Sequence, residues 1–203
     1  MEGGDLLLRK PIIVYTLSLP RLVITIVLLT IVGNFLWFSP WVQKIIYPLP
    51  HKETIFKYAR QNDIDPYLVA AIIRRESKFW IWAESPQGAK GLMQLMPQTA
   101  EWIAQEMDMN DYSHDKLYEP HRNIKMGCWY LANLNKEFQG NIILVIASYN
   151  GGRGNVRQWI DEKGWTGQEH SIDMIPYPET RAYVKGVLQD YQIYRNLYEK
   201  ESD

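Results

Sequence analysis

Cysteine is almost absent from this chain of 203 residues, since Cys128 is the only one. A lone cysteine excludes an internal disulfide and leaves the redox compartment undetermined. Ile124, Cys128 and Leu131 repeat at helical spacing, so we interpret Cys128 as a small core residue. A reactive thiol is the less favoured alternative, because no histidine adjoins Cys128 in sequence to activate it.

Metal-binding and phosphate-binding patterns are also missing. The four histidines are scattered without HExxH or Cys/His spacing, so nothing supports a metal site. The glycines of residues 151–154 lack the spacing of nucleotide-binding loops and predict a tight turn. A formal net charge of −1 excludes the broad basic surface of non-specific nucleic-acid binders. We therefore expect no cofactor, no metal and no nucleic-acid partner.

One long apolar run is present, from Leu22 to Phe38, without a formal charge. At about 1.5 Å per residue it spans about 25 Å as a helix, slightly less than a hydrocarbon core of about 30 Å. Trp37 and Trp41 lie where an interfacial aromatic belt is expected. The slight excess of Lys and Arg before the run predicts a cytoplasmic segment, residues 1–21, and a single-pass anchor, residues 22–42.

Two other interpretations of this run stay open. A cleaved signal peptide requires a pattern of small residues that 34–41 lacks, and a core helix of this length without charge is unusual in a small domain. The prolines of Ser39-Pro40 and Pro48-Leu49-Pro50 predict an extended linker, residues 43–50. The remaining domain, residues 51–203, is then held outside the cytoplasmic membrane.

Helical patterns run through the whole of residues 51–203. The short apolar run Ile142 to Ala147 fits a strand or a buried helix, and we favour a helix because no convincing partner strand exists. An all-α fold class is therefore predicted. The other helix signals are Lys52 to Gln61, a start at Asp65-Pro66, a start at Pro97, Asn123 to Phe138 and a start at Pro178.

Glu76 is the candidate catalytic acid. It continues the apolar stripe of Leu68 and Ile72, which puts its carboxyl on the inward face at the end of a helix. Loss of water and the negative end of the helix dipole raise the pKa of such a carboxyl, while Arg74 and Arg75 oppose the rise. A carboxyl protonated near neutral pH suits a general acid. On pattern alone, a glutamate paired with an arginine explains the position at least as well.

Later segments place polar groups among apolar ones. Ser85 opens a turn-rich segment whose glycines allow close approach to a ligand. Gln94 is a single amide among large apolar residues, so it either binds backbone or faces a polar cleft. Tyr149 and Asn150 follow an apolar helix and precede a glycine turn. Each feature alone has a structural explanation.

In their order, these segments resemble the motifs of soluble-type lytic transglycosylases, which have a lysozyme-like α fold and are related to goose-type lysozyme. The resemblance covers about residues 51–198, and four ordered motifs are highly specific. The matching segments are Glu76-Ser77, Ser85 to Pro97, Tyr149-Asn150-x-Gly152 and Pro178-Glu179-Thr180-Arg181-x-Tyr183-Val184.

The resemblance implies cleavage of the β-1,4 bond between N-acetylmuramic acid and N-acetylglucosamine in peptidoglycan, with formation of 1,6-anhydromuramoyl ends. It implies that Glu76 is the acid/base, that Ser85 lies near the scissile sugar, and that Gln94 and Tyr149 contact the glycan or the glutamate. Three further positions match motif residues whose role is partly packing: Met93, Asn150 and Tyr183.

Two departures accompany this resemblance. Ser148 and Gly151 replace the usual alanines, and because both are small we expect altered loop stiffness rather than lost activity. Glu84 is interpreted as a solvated loop residue. A lysozyme-type hydrolase of the same bond and a non-catalytic glycan-binding scaffold are the alternatives, and the intact Glu76 speaks against the second.

Overall fold

The computed structural model describes residues 18–37 and 39–199, so most of the predicted cytoplasmic segment, Phe38 and the last four residues lie outside the described part. The described chain forms helices and no strand, which confirms the all-α prediction. It divides into two compact units, up to residue 46 and from residue 47 onward. The α-helices are α1 Leu19–Trp37, α2 Pro40–Ile46, α3 Lys52–Gln61, α4 Pro66–Ser77, α5 Pro97–Glu106, α6 Pro120–Glu137, α7 Ile142–Gly151, α8 Arg153–Lys163 and α9 Pro178–Tyr198.

The first unit contains the apolar run, as far as Trp37, in helix α1. Its mean hydropathy of 2.0 and its 19 residues make it long and apolar enough to cross a membrane. None of those residues, all of them described, is buried, so the core-helix interpretation is wrong. Helix α2 also replaces part of the predicted extended linker. Ser39 accepts a hydrogen bond from the backbone N–H of Val42 (3.4 Å) and Pro40 takes the first helical position, so Ser39-Pro40 begins a helix.

Capping residues explain where the helices of the second unit begin. The Asp65 side chain accepts a hydrogen bond from the Tyr67 backbone N–H (2.8 Å), with Pro66 as the first helical residue. The Asn141 side chain accepts from the N–H groups of two successive residues at 3.1 Å each and caps α7. The ambiguous run from Ile142 is therefore a buried helix, as predicted.

Helix α4 is the centre of the core of the second unit. Its residues from Tyr67 to Ile73 are all buried, and it packs against α3 and α9. Helix α7 lies against α6, α8 and α9, which brings the ends of α4, α7 and α9 into one neighbourhood. Cys128 is fully buried, and burial raises the pKa of its thiol to about 12, which confirms it as a core residue.

Several features of the second unit differ from the prediction or were not predicted. Helix α8 and two 3-10 helices, His114–Tyr118 and Glu169–Met174, have no expected counterpart, and α6 begins three residues early, at Pro120. The unit also starts at 47 rather than 51, because Tyr198 donates a hydrogen bond to the Tyr47 carbonyl (2.8 Å) and Tyr194 to the Pro48 carbonyl (3.0 Å).

Candidate active site

Glu76 lies in the last turn of α4 and faces α9. The Tyr183 hydroxyl donates a 2.6 Å hydrogen bond to its Oε1. Burial raises the pKa of Glu76 to about 7, although the Tyr183 hydrogen bond lowers it, and the nearby charge of Glu179 adds to the rise. Because Oε1 accepts from Tyr183, the proton of the neutral acid belongs on Oε2. With a pKa of about 7, a large fraction of the Glu76 carboxyl carries its proton at neutral pH, as a general acid requires.

The arginines beside Glu76 pair elsewhere. Arg75 Nε lies 2.7 Å from Asp190 Oδ2, and Arg74 Nε lies 3.6 Å from the same oxygen. The groups that shift the pKa of Glu76 do not include either arginine, so the prediction that the arginines oppose the rise is not supported. The alternative of Glu76 as one half of an arginine pair is wrong, because its hydrogen-bond partner is a phenol.

Tyr149, at the end of α7, is the second phenol near Glu76. Its hydroxyl donates a 2.7 Å hydrogen bond to the carbonyl of Met93. Burial raises its pKa well above the usual value, and the neighbouring charge of Glu76 adds to the rise. Helices α4, α7 and α9 therefore each contribute one ionisable group to a cluster: Glu76, Tyr149 and Tyr183.

The segment from Ala83 to Leu95 forms a loop braced by side chains. Gln94 has a φ of 46°, and its Nε2 donates to the carbonyls of Ala83 (3.0 Å) and Gly91 (2.9 Å). The Ser85 hydroxyl accepts from the Ala89 N–H at 3.1 Å. Of the two predicted options for Gln94, it binds backbone. Ser85 and Gln94 thus shape the loop that follows α4.

Asn123 is an important residue that the sequence analysis missed. It is fully buried, accepts from the Met93 N–H (2.7 Å), and donates to the carbonyls of Lys90 and Leu117 (2.9 Å each). In the sequence, a single amide directly before the apolar stripe of α6 could have indicated that this residue is buried and hydrogen-bonded. Met93 itself is fully buried in the gap left by Gly127, where an added Cβ would lie 2.2 Å from its Sδ. Met93 therefore packs, as the resemblance implied in part.

The remaining predicted residues lie at the edges of the site. Asn150 is half-buried at the end of α7, beside Gly151. A Cβ at Gly151 would lie 3.0 Å from Thr180 Oγ1, so glycine relieves a tight contact there. Glu84 is exposed but bonded: it accepts from the Tyr118 hydroxyl (2.6 Å) and lies 3.5 Å from Lys90 Nζ.

The described residues contain no cluster of three or more His, Cys, Asp or Glu that could hold a metal ion. The arrangement offers acid–base chemistry from one buried carboxyl supported by phenols.

A comparison with protein families agrees with this arrangement: the model of the transglycosylase SLT domain matches residues 53–172, more than half of the chain. The chain belongs to the SLT transglycosylase family. A second model, the soluble lytic transglycosylase helical domain, matches residues 174–203.

Two similar proteins are named lytic murein transglycosylases. The soluble lytic murein transglycosylase of Salmonella typhimurium is 38% identical over 153 residues, which are 74% of this chain and 24% of that protein. The membrane-bound lytic murein transglycosylase F of Desulfosudis oleivorans is 37% identical over 122 residues, covering 57% of this chain and 25% of that one.

A solved structure gives the same result for the fold. It is an inactive mutant, glutamate to glutamine, of the lytic transglycosylase Slt from Pseudomonas aeruginosa, with 36% identity, a TM-score of 0.70 and coverage of 75% of this chain and 25% of that chain. The predicted fold class is confirmed. The chain spans about a quarter of the length of these relatives.

Proposed function

We propose that this SLT-family chain cleaves the β-1,4 bond between N-acetylmuramic acid and N-acetylglucosamine of peptidoglycan as a lytic transglycosylase, with Glu76 as its acid/base. The buried Glu76, with its pKa of about 7 and its Tyr183 hydrogen bond, carries this proposal. Relatives named as soluble lytic murein transglycosylases support the substrate class, and the inactive glutamate-to-glutamine mutant of the Pseudomonas protein agrees with a glutamate as the essential acid.

The proposed reaction uses one carboxyl twice. Glu76 delivers the Oε2 proton to the leaving glycosidic oxygen, while the 2-acetamido group of the sugar stabilises positive charge at C1. The resulting carboxylate takes the proton of the C6 hydroxyl, whose oxygen closes onto C1 and forms the 1,6-anhydro ring. Tyr183 holds Oε1 throughout, and well-oriented intramolecular nucleophiles reach effective concentrations of about 10⁵ to 10⁸ M, so C6 oxygen outcompetes water.

A hydrolase is the alternative with a specific observation in its favour. Glycoside hydrolases pair two carboxyl groups, and Glu179 lies close enough to Glu76 for its charge to raise the Glu76 pKa. Glu179 is far from Glu76 in the sequence, and helix α9 brings it near Glu76 in space. Glu179 is exposed to solvent, and it acts on Glu76 through its charge, which raises the Glu76 pKa. A non-catalytic binder gains nothing from a carboxyl that is costly to bury.

We expect digestion of purified sacculi to release muropeptides with 1,6-anhydromuramoyl ends and no new reducing ends. The physical reason is that the C6 hydroxyl is already part of the bound substrate, while water must enter the site. Mass spectrometry of the released fragments distinguishes the products, because hydrolysis adds the mass of one water.

Glu179→Gln is the matched control for this product test. If the enzyme is a transglycosylase, the variant keeps the anhydro product and most of its turnover. Hydrated products in the wild type that disappear in Glu179→Gln would instead identify a two-carboxyl lysozyme-type hydrolase.

We further propose that α1 anchors the protein in the cytoplasmic membrane in a single pass, with the second unit outside. The length and hydropathy of α1 and the membrane-bound relative from Desulfosudis support an anchor. The slight excess of basic residues before α1 supports the orientation.

The full-length chain is expected to sediment with membranes, and a chain that begins at residue 47 is expected to be soluble and folded. Fractionation and external protease treatment of spheroplasts measure anchoring and orientation. A chain that begins at residue 51 is the control, and it should be less stable because it loses the Tyr47 and Pro48 contacts with α9. Full-length protein in the soluble fraction would contradict the anchor.

A further inference from the structure

Asp190 is a buried carboxylate that the proposed reaction does not use. It lies on α9 with 2% of its surface exposed, and its Oδ2 is 2.7 Å from Arg75 Nε and 3.6 Å from Arg74 Nε. Burial raises the pKa of Asp190, and the two arginines lower it. One carboxylate thus collects the two guanidinium groups that immediately precede Glu76 in sequence.

Gly186 provides the space in which Arg75 lies. It is one helical turn before Asp190 on α9, and a Cβ there would be 2.6 Å from Arg75 Cζ. The guanidinium group therefore rests directly against the α9 backbone, between Gly186 and Asp190. Since Tyr183 lies one turn further toward the start of α9, this ion pair and the Glu76–Tyr183 hydrogen bond join the same two helices side by side.

The charge of Arg75 already acts on the active site. Burial and the charge of Glu76 raise the pKa of Tyr183, the phenol that holds Glu76, and the charge of Arg75 opposes that rise. The pKa of Glu76 is set by burial, by the Tyr183 hydrogen bond and by the charge of Glu179, and neither arginine contributes to it. An opposite charge within about 4–6 Å lowers a carboxyl pKa by about 1 to 3, so an arginine that turned toward Glu76 would remove its proton near neutral pH.

We propose that Asp190 is a positioning residue that holds the guanidinium group of Arg75 away from Glu76, so that Glu76 keeps its proton until substrate binds. This inference rests on the proposed function for the role of Glu76. The sequence Arg74-Arg75-Glu76 suggests an ion pair between Glu76 and an arginine. In this proposal the arginines bind Asp190 instead, and the placement of Arg75 there keeps Glu76 neutral.

The surroundings of the two carboxyls are consistent with this separation. Glu76 faces Tyr183 and Glu179 from α9 and Tyr149 from α7. Asp190 faces both arginines from α4 and interacts with Tyr194 on its own helix. A cavity of about 240 Å³ beside the ion pair gives the guanidinium groups room to move; its lining residues are Tyr47, Arg74, Arg75, Lys78 and Asp190.

The test measures the protonation of Glu76 directly. The full-length chain in detergent, with ¹³C-labelled glutamate carboxyls, is titrated by NMR, and Glu76→Gln identifies the Glu76 signal. Asp190→Asn is expected to lower the titration midpoint of Glu76 by about one pH unit or more, since the Arg75 guanidinium loses its carboxylate partner and can turn toward Glu76. The falling limb of the activity–pH profile should move to lower pH by the same amount.

Arg75→Gln in the Asp190→Asn background is the rescue variant. Removal of the nearer guanidinium should return the Glu76 midpoint most of the way to the wild-type value. A purely structural role for Asp190 predicts no such return. An unchanged midpoint in Asp190→Asn, or a lowered midpoint that persists in the double variant, would overturn the proposal.

Gly186→Ala tests the same idea if Asp190→Asn fails to fold. The added methyl displaces the flexible end of Arg75 while Asp190 stays intact, and the Glu76 midpoint should again fall; an unchanged midpoint with a displaced Arg75 overturns the proposal. The NMR readout needs no turnover. If Glu76→Gln retains activity, the proposed function fails, whereas the Glu76 midpoint still decides the role of Asp190.

Discussion

Glu76→Gln is expected to lower the turnover of purified sacculi by about 10²- to 10⁴-fold or more. Glutamine keeps the size of the side chain, and its Oε1 can still accept the Tyr183 hydrogen bond, but it has no proton to deliver to the leaving oxygen. General acid–base catalysis by a positioned side chain accounts for a loss of this size. Release of soluble muropeptides at fixed enzyme concentration measures the effect.

The same substitution should leave the fold intact and stabilise it above neutral pH. Each pKa unit corresponds to about 1.4 kcal/mol, so the rise of the Glu76 pKa from 4.5 to about 7 costs the native state about 3 kcal/mol once the carboxyl ionises. This cost is absent below pH 4.5, grows as the pH rises, and is complete above about 7. Glutamine carries no such cost, so urea unfolding should favour Glu76→Gln only at the higher pH.

The pH profile of the wild type provides the control for the catalytic role. A general acid must be protonated in the free enzyme, so kcat/KM should fall as the pH rises through about 7. Tyr149→Phe and Ser85→Ala should each reduce turnover less than Glu76→Gln, because their groups position and do not transfer the proton. Near-normal turnover in a folded Glu76→Gln protein would refute the assignment.

Local sequence signals predicted most helix starts because capping is a short-range interaction. Asp65-Pro66 and Pro97 open helices where expected, since a capping side chain and a fixed φ act within one turn. Ser39-Pro40 carries the same signal, but the neighbouring prolines were interpreted as a linker. Helix α8 was missed because its start depends on Gly152, whose φ of +86° ends α7 and redirects the chain at once.

The site was only partly predictable for a different reason. The inward position of Glu76 follows from helical periodicity, but its partner Tyr183 is 107 residues later in the chain. Likewise, the sequence places two arginines beside Glu76 and gives no indication that Asp190 binds them. Pairings between distant helices depend on packing, which periodicity alone does not specify.

The loop that follows α4 depends on Gly91, and Gly91→Ala is expected to destabilise the second unit by about 3 kcal/mol or more. Gly91 has a φ of +75°, and a Cβ there would lie 2.1 Å from the Leu117 carbonyl oxygen and 2.4 Å from Asn123 Nδ2. The contact at Leu117 is with a backbone oxygen, which cannot move aside as a flexible side chain can. The methyl would therefore separate Asn123 from Leu117, and buried polar groups would lose their partners.

Gly140→Ala separates this clash from the cost of backbone strain alone. Gly140 has a similar φ of +81°, but nothing lies within 4 Å of its added Cβ, so its substitution should cost only about 1 kcal/mol. Urea unfolding of both full-length variants in the same detergent gives the difference. Equal stabilities of Gly91→Ala and Gly140→Ala would contradict the prediction and show that the loop shifts to make room for the methyl group. A larger loss in Gly91→Ala, with turnover falling alongside, is expected because Asn123 also holds the N–H of Met93, whose carbonyl binds Tyr149 beside Glu76.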